Sequence, residues 1–239
     1  MRGSSSRELR KRVERKAVIA GATGLVGGEL VKLLLSREDY SKVTVLVRRK
    51  LPIAHERLEQ LVVEYERLEE LPGVLFENSD VYCALGTTRK KAGSKEQFER
   101  VDYGYPMALG RLAKRYHAAR LLIITAMGAD EASIFFYSKV KGRVEKDLQR
   151  LQLSRLHIFR PSLILGDRQE HRLGESAAVK LYAKLPFLFG GPKSKYRPIT
   201  AREIAEGMLH VALFAEEADE SILSSHVIAE QARRLRERS

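Results

Sequence analysis

Four apolar residues, Ala17–Ala20, run straight into Gly21-Ala22-Thr23-Gly24-Leu25-Val26-Gly27-Gly28, and this junction limits the available folds more than any other segment. A short apolar run is the pattern of a strand buried on both faces. Beyond the glycines, Leu30, Val31, Leu33 and Leu34 recur at helical spacing. Strand, glycine turn and helix together form the unit that grips a diphosphate. One glycine turns the chain off the strand, a second leaves backbone room for the pyrophosphate, and a third lets helix and strand pack closely. The helix then directs free N–H groups and its positive dipole end at the phosphates. The spacing here is G-x-x-G-x-x-G rather than G-x-G-x-x-G, so the flanking strand and helix carry the inference.

The next apolar run, Val43–Val47, ends in Arg48-Arg49-Lys50. A site for unphosphorylated ribose needs a carboxylate about 20 residues past the glycines. Arg48 stands 21 residues past Gly27, and no Asp or Glu stands at the strand end. Guanidiniums suit a 2′-phosphate through paired, charged hydrogen bonds. The pattern therefore favours NADP(H) over NAD(H), with a plain basic surface turn as the alternative.

Further strands are expected at Leu61–Tyr65, Asp80–Leu85, Leu121–Thr125 and Leu156–Phe159. Helices are expected at Glu96–Tyr116, where Phe98, Val101, Leu109, Leu112 and Ala113 share a face, and at Phe136–Leu151. This alternation predicts an α/β, Rossmann-type doubly wound parallel sheet. After Pro161 the pattern loosens. Residues 166–239 are expected to form a small C-terminal substrate lobe without its own sheet, with helices at Ala201–Phe214 and at the terminus. Residues 16–239 are taken as one NAD(P)-binding domain.

Tyr137 and Lys141 lie four apart on the predicted helix after the fifth strand, hence on one face. An ammonium beside a phenol favours the phenolate, and such a pair can pass a proton to a carbonyl oxygen or take one from an alcohol. Ligands gather at the C-terminal ends of parallel strands, where this pair lies. Lys139, two residues on, faces away from Tyr137. Thr125, at the end of the fifth strand, either orients a substrate carbonyl or caps and packs.

Composition bounds the rest. The lone cysteine, Cys83, excludes an internal disulfide and is expected to be a buried strand residue; it fits a cytoplasmic setting. Of the formal charge of +12, a surplus of five falls in Met1–Lys16, and residues 1–15 are expected to be a disordered or tag-like basic tail. Glu8 and Glu14 argue against a mitochondrial presequence. No apolar run is long enough for a membrane span. With 7% aromatic residues, no tryptophan and no recognised motif, nucleic acid is not an expected partner. No histidine spacing suits a metal. His157 is expected in the core, and His171 lies in a polar loop that could approach a ligand.

Taken as a set, the glycine turn, Ser41–Thr44 through Arg48–Leu51, Leu85–Arg89, Lys91-Ala92-Gly93, Arg100-Val101-Asp102, Met127–Asp130, the Tyr137/Lys141 pair, Phe159-Arg160-Pro161 and Asp167–Glu170 resemble the atypical short-chain dehydrogenases/reductases. The likeness is greatest to the Tat-interacting-protein oxidoreductase group and covers roughly residues 16–175. The resemblance implies a Rossmann fold binding NADPH. Thr23, Gly24, Leu25 and Val26, beside Gly21 and Gly27, would line the diphosphate; Arg48 and Arg49 would take the 2′-phosphate. Leu85 and Gly86 would lie along the cofactor, Ile164 by the nicotinamide and Arg172 near the cofactor, with Tyr137 and Lys141 as the catalytic pair. Thr125-Ala126 replaces the serine pair of that group. The implied activity is NADPH-dependent hydride transfer to or from a small carbonyl or alcohol by a monomer or homodimer. The alternative is an NADPH-sensing regulatory protein with little or no turnover.

Overall fold

The computed structural model describes residues 15–165, 196–215 and 220–238. Its centre is a seven-stranded parallel sheet. In chain order the strands are β1 (Arg15–Ala20), β2 (Tyr40–Val47), β3 (Leu58–Val62), β4 (Ser79–Cys83), β5 (Arg120–Ile124), β6 (Leu156–Arg160) and, after the two-stranded pair β7 (Ile164–Leu165) and β8 (Ile199–Thr200), β9 (Glu220–Ser224). They are ordered β3-β2-β1-β4-β5-β6-β9. The order reverses between β1 and β4, so a crevice opens beyond their C-terminal ends. β1, β4 and β5 are buried on nearly every residue because helices cover both faces.

One face packs against α1 (Leu25–Leu35), α6 (Ala201–Phe214) and α7 (Ser225–Arg236), burying Leu30, Leu34, Ile204, Met208 and Ile228 completely. The other packs against α4 (Tyr105–Arg115) and α5 (Phe136–Arg150), burying Leu109, Val144 and Leu148. Each such side chain removed from water contributes roughly 1.5–3 kcal/mol, so both faces contribute substantially to the fold. α6 begins where expected because Thr200 and Glu203 form a reciprocal capping box.

β2 begins earlier than expected, at Tyr40, and β4 ends earlier, at Cys83; four larger differences also stand out. Arg15 belongs to β1 rather than to the tail: its guanidinium pairs with buried Asp80 at 3.2 Å and donates to the Ala212 carbonyl. Asp80 also pairs with Arg120 at 2.9 Å and accepts from Tyr40 at 2.6 Å, closing a buried polar cluster at the N-terminal edge of the sheet. The third strand ends at Val62; Tyr65 instead opens a 3₁₀ turn and donates to the Leu46 carbonyl. The described C-terminal segments are not a lobe apart from the sheet, since β9 pairs with β6 and α6 and α7 complete a layer. The expected helix Glu96–Tyr116 is interrupted. α2 (Arg89–Ala92) precedes α3 (Lys95–Glu99), and a π turn over Arg100–Gly104 joins α3 to α4. Pro106 has no N–H and would crowd the carbonyl four residues back, at Asp102, so the backbone widens there.

Candidate functional site

The glycine turn is closed by two backbone bonds, Gly24 N–H to the Gly21 carbonyl at 2.9 Å and Gly28 N–H to the Gly24 carbonyl at 2.8 Å. Gly21 has φ +95°, and a Cβ there would stand 2.5 Å from the Ala84 carbonyl oxygen of the neighbouring β4 loop. A Cβ on Gly27 would lie 2.1 Å from the Gly21 oxygen. Both positions require glycine. α1 starts with no side-chain cap and no acidic residue in its first turn, which leaves its leading N–H groups and dipole uncompensated. Thr23 and Gly24 are exposed and Leu25 is half-buried. The Val26 side chain is packed in the core, so only its backbone can face the crevice. These features fit a bound dinucleotide diphosphate.

β1 pairs with β2 with Ala20 opposite Leu46, which sets Arg48 level with the glycine turn. Arg48, Arg49 and Lys50 are exposed, and the chain runs on from β2 without an acidic residue until Glu56, while Glu66 lies near enough to Arg48 to interact with it. On the other side, Ala20 stands opposite Cys83, and the Ala84 N–H donates to the Ala20 carbonyl at 2.9 Å. Leu85 and exposed Gly86 therefore begin a loop along the same crevice. Cys83 is enclosed, and burial pushes its thiol up to about 11, as suits an inert strand residue.

The Tyr137/Lys141 pair opens α5. Tyr137 is half-exposed, with its ring 5.8 Å from that of Phe98. Lys141 is buried, and its Nζ lies 2.7 Å from Asp102 Oδ1. The contact is an ion pair without aligned hydrogen-bond geometry. Burial pulls the Lys141 pKa down, but Asp102, with Tyr137 adding to it, outweighs that and holds it above the usual lysine value. The other oxygen of Asp102 accepts the Thr87 N–H at 2.9 Å, so one carboxylate ties the lysine to the β4 loop. Sequence reasoning missed Asp102. In an uninterrupted helix Val101 would face the core, whereas here Val101 is half-buried and Asp102 is 1% exposed. Pro106, four residues after it, was the available signal.

Thr125 does not face the crevice with a free hydroxyl. Its Oγ1 donates to Glu145 at 2.5 Å, and Glu145 is clasped by the Arg160 guanidinium. Both Thr125 and Glu145 are buried. The threonine thus ties the end of β5 to α5. The next residue, Ala126, offers only a methyl group. α5 comes close to the loop before it because Gly142 lies there: a Cβ would meet Glu131 N at 2.1 Å. Ile164 lies in β7, half-buried against the α1–α6 core and paired with Ile199. Arg172 and His171 fall outside the described residues. His157 is a core residue, bonded to Ser221 at 2.8 Å.

A diphosphate cradle at the strand-order reversal, flanked by a Tyr–Lys pair, defines a dinucleotide-binding Rossmann protein of the short-chain dehydrogenase/reductase kind. The chain belongs to the NAD(P)H-binding family whose model matches residues 21–180, and within it to the atypical short-chain group. Protein HTATIP2 of Rattus norvegicus is 41% identical over 184 residues, covering 75% of each chain. Protein FMP52, mitochondrial, of Debaryomyces hansenii is 34% identical over 202 residues, covering 82% of this chain and 87% of that protein. The fold is similar to that of the Thermotoga maritima UDP-glucose 4-epimerase solved with UDP-glucose: TM-score 0.64 at 14% identity, covering 93% and 82% of the two chains. The cytoplasmic setting expected from the lone cysteine is overturned. FMP52 proteins of Debaryomyces hansenii and three further yeasts are named as mitochondrial. A buried cysteine reports its own burial and nothing of the compartment.

Proposed function

We propose that the chain is an NADP(H)-dependent oxidoreductase that moves hydride to or from a small carbonyl or alcohol. The observation that carries this reading is the buried Lys141 ammonium, one helical turn from the half-exposed Tyr137 hydroxyl at the strand C-termini. Backbone N–H groups of Thr23, Gly24, Leu25 and Val26, with Gly21 and Gly27 giving clearance, would hold the diphosphate. Arg48 and Arg49 would clasp the 2′-phosphate, Leu85, Gly86 and Ile164 would line the rest of the dinucleotide, and Arg172 would stand near it. The nicotinamide, when bound, supplies or accepts the hydride. Tyr137 gives its hydroxyl proton to the carbonyl oxygen, or takes the alcohol proton in reverse. Lys141 keeps its charge because Asp102 offsets the cost of its burial, and it steadies the phenolate left behind.

The test is NADPH consumption across a panel of small aldehydes and ketones, with Tyr137→Phe abolishing turnover while calorimetry shows cofactor binding retained. Arg48→Ala with Arg49→Ala should weaken NADPH binding by about tenfold or more per lost charged contact and leave NADH binding nearly unchanged. An inactive wild-type protein indifferent to Tyr137→Phe refutes the catalytic reading.

A second reading, an NADPH sensor with little turnover, draws on one observation. The Thr125 hydroxyl is committed to Glu145 and Ala126 has none, so β5 offers the crevice no hydroxyl of its own. NADPH-dependent partner capture that survives Tyr137→Phe would favour it.

A further inference from the structure

The turn that leads into α5 leaves a contiguous apolar tip in water. Ile134 is 92% exposed and Phe135 70%, with Tyr137 two residues further on. The tip is held rather than frayed. Ser133 Oγ accepts the Phe135 N–H at 3.2 Å, Asp130 accepts from Ala132 and Ser133, and the Phe135 carbonyl accepts the first helical bond of α5 from Lys139 at 2.9 Å. A fixed isoleucine–phenylalanine pair projecting from the surface calls for an apolar partner.

Its surroundings are cationic. The ring of Phe136 lies 5.9 Å from the Arg89 guanidinium and 5.6 Å from Lys95 Nζ, so α2 and the start of α3 lie beside the tip. Arg89, Lys90, Lys95 and Lys139 are all exposed. Neither stretch that builds the patch, residues 85–95 or 132–144, contains a carboxylate. Of the neighbouring acids, Glu99 and Glu131 are spent in ion pairs with Arg143 and Lys146. Asp130 and Glu96 remain as the exposed carboxylates at its margin.

We infer that Ile134 and Phe135, with Arg89, Lys90 and Lys95 around them, form a docking surface for an anionic lipid bilayer. Projecting apolar side chains enter the boundary between headgroups and acyl chains, and lysine and arginine around them meet lipid phosphates. A peptide partner would need a groove, and this surface projects. Docking would turn Tyr137 and the mouth of the crevice toward the bilayer, where apolar carbonyl compounds dissolve. The surface itself depends on neither cofactor nor turnover, so its failure leaves the proposed chemistry untouched.

The chain has no tryptophan, so Phe135→Trp installs a single fluorescent reporter at the tip. In the full chain, phosphatidylcholine vesicles containing phosphatidylserine should shift its emission to the blue and permit quenching by brominated acyl chains. Vesicles of phosphatidylcholine alone should do so weakly, and added salt should reduce the effect. In co-sedimentation, Lys90→Gln with Lys95→Gln should weaken anionic-vesicle binding about fivefold for each charge removed. Ile134→Ser with Phe135→Ser should weaken it by more than about tenfold. Unaltered thermal unfolding would show that these surface variants remain folded. Vesicle binding with an unshifted reporter, binding indifferent to both variant pairs, or a blue shift produced only by an added protein would each overturn the inference.

Discussion

Replacing Asp102 by asparagine isolates the contact on which the Tyr137/Lys141 arrangement depends. Asparagine keeps the shape and can still accept the Thr87 N–H, but it removes the charge that faces Lys141 at 2.7 Å. At that distance, with an effective dielectric of about 20, the attraction is about 6 kcal/mol before the cost of taking both ions out of water. Removing one partner of a buried pair leaves an uncompensated ion, and such changes cost about 3–5 kcal/mol. The sign of the pH dependence is also set. In the native chain Lys141 is held above its ordinary pKa, so the pair's contribution is complete below about 10.5 and is lost only as pH rises through the higher folded value. In Asp102→Asn, burial meets the weaker pull of Tyr137, and the folded pKa should fall below the unfolded one. Stability of the variant should then rise from about pH 7 to about pH 10, where this group leaves the native chain flat. Urea unfolding at several pH values measures both effects. A double-mutant cycle with Lys141→Met should give a coupling energy of several kcal/mol, because the double variant buries no lone charge. A loss under about 1 kcal/mol for Asp102→Asn, or additive single variants, would refute the reasoning.

Three further outcomes follow from the geometry. Gly27→Ala forces a methyl group to 2.1 Å from the Gly21 oxygen, so calorimetry should find NADPH binding lost and unfolding about 1–3 kcal/mol easier. Thr125→Val leaves Glu145 short of a donor and should cost about 1–3 kcal/mol in denaturant, while any turnover is preserved; a large fall in kcat with unchanged stability would return the hydroxyl to the chemistry. Burial, with Arg120 and Arg155 nearby, pushes the His157 pKa down to about 4 from 6.5. The folded state therefore binds fewer protons than the unfolded chain in that window. Stability should fall by about 3 kcal/mol as pH drops through it, and His157→Gln should flatten that slope.

The alternation of elements, the glycine turn and the extent of α6 were legible because each rests on neighbours in sequence: an apolar period, two clearance glycines, a Thr200/Glu203 cap. What escaped depends on distant partners. β9 is short and half-exposed at the sheet edge, so Glu220–Ser224 carries too weak an apolar signal to announce a strand. Arg15 counted as tail until Asp80, 65 residues on, gave it a counter-charge. The Thr125 hydroxyl was legible as a donor, but its acceptor lies 20 residues further along, on another element. Asp102 was hidden for a different reason. Helical periodicity assumes an unbroken screw, and the π turn resets the phase in the middle of the run.

That reset has an evolutionary face. A π turn is an α-helix carrying one surplus residue, and each residue turns a helix by about 100°. Trimming a single position between Arg100 and Gly104 would heal the helix, yet it would swing everything upstream a quarter-circle and more, stranding the lysine with no counter-ion. The chain is thereby guarded against a change that local backbone energetics alone would welcome.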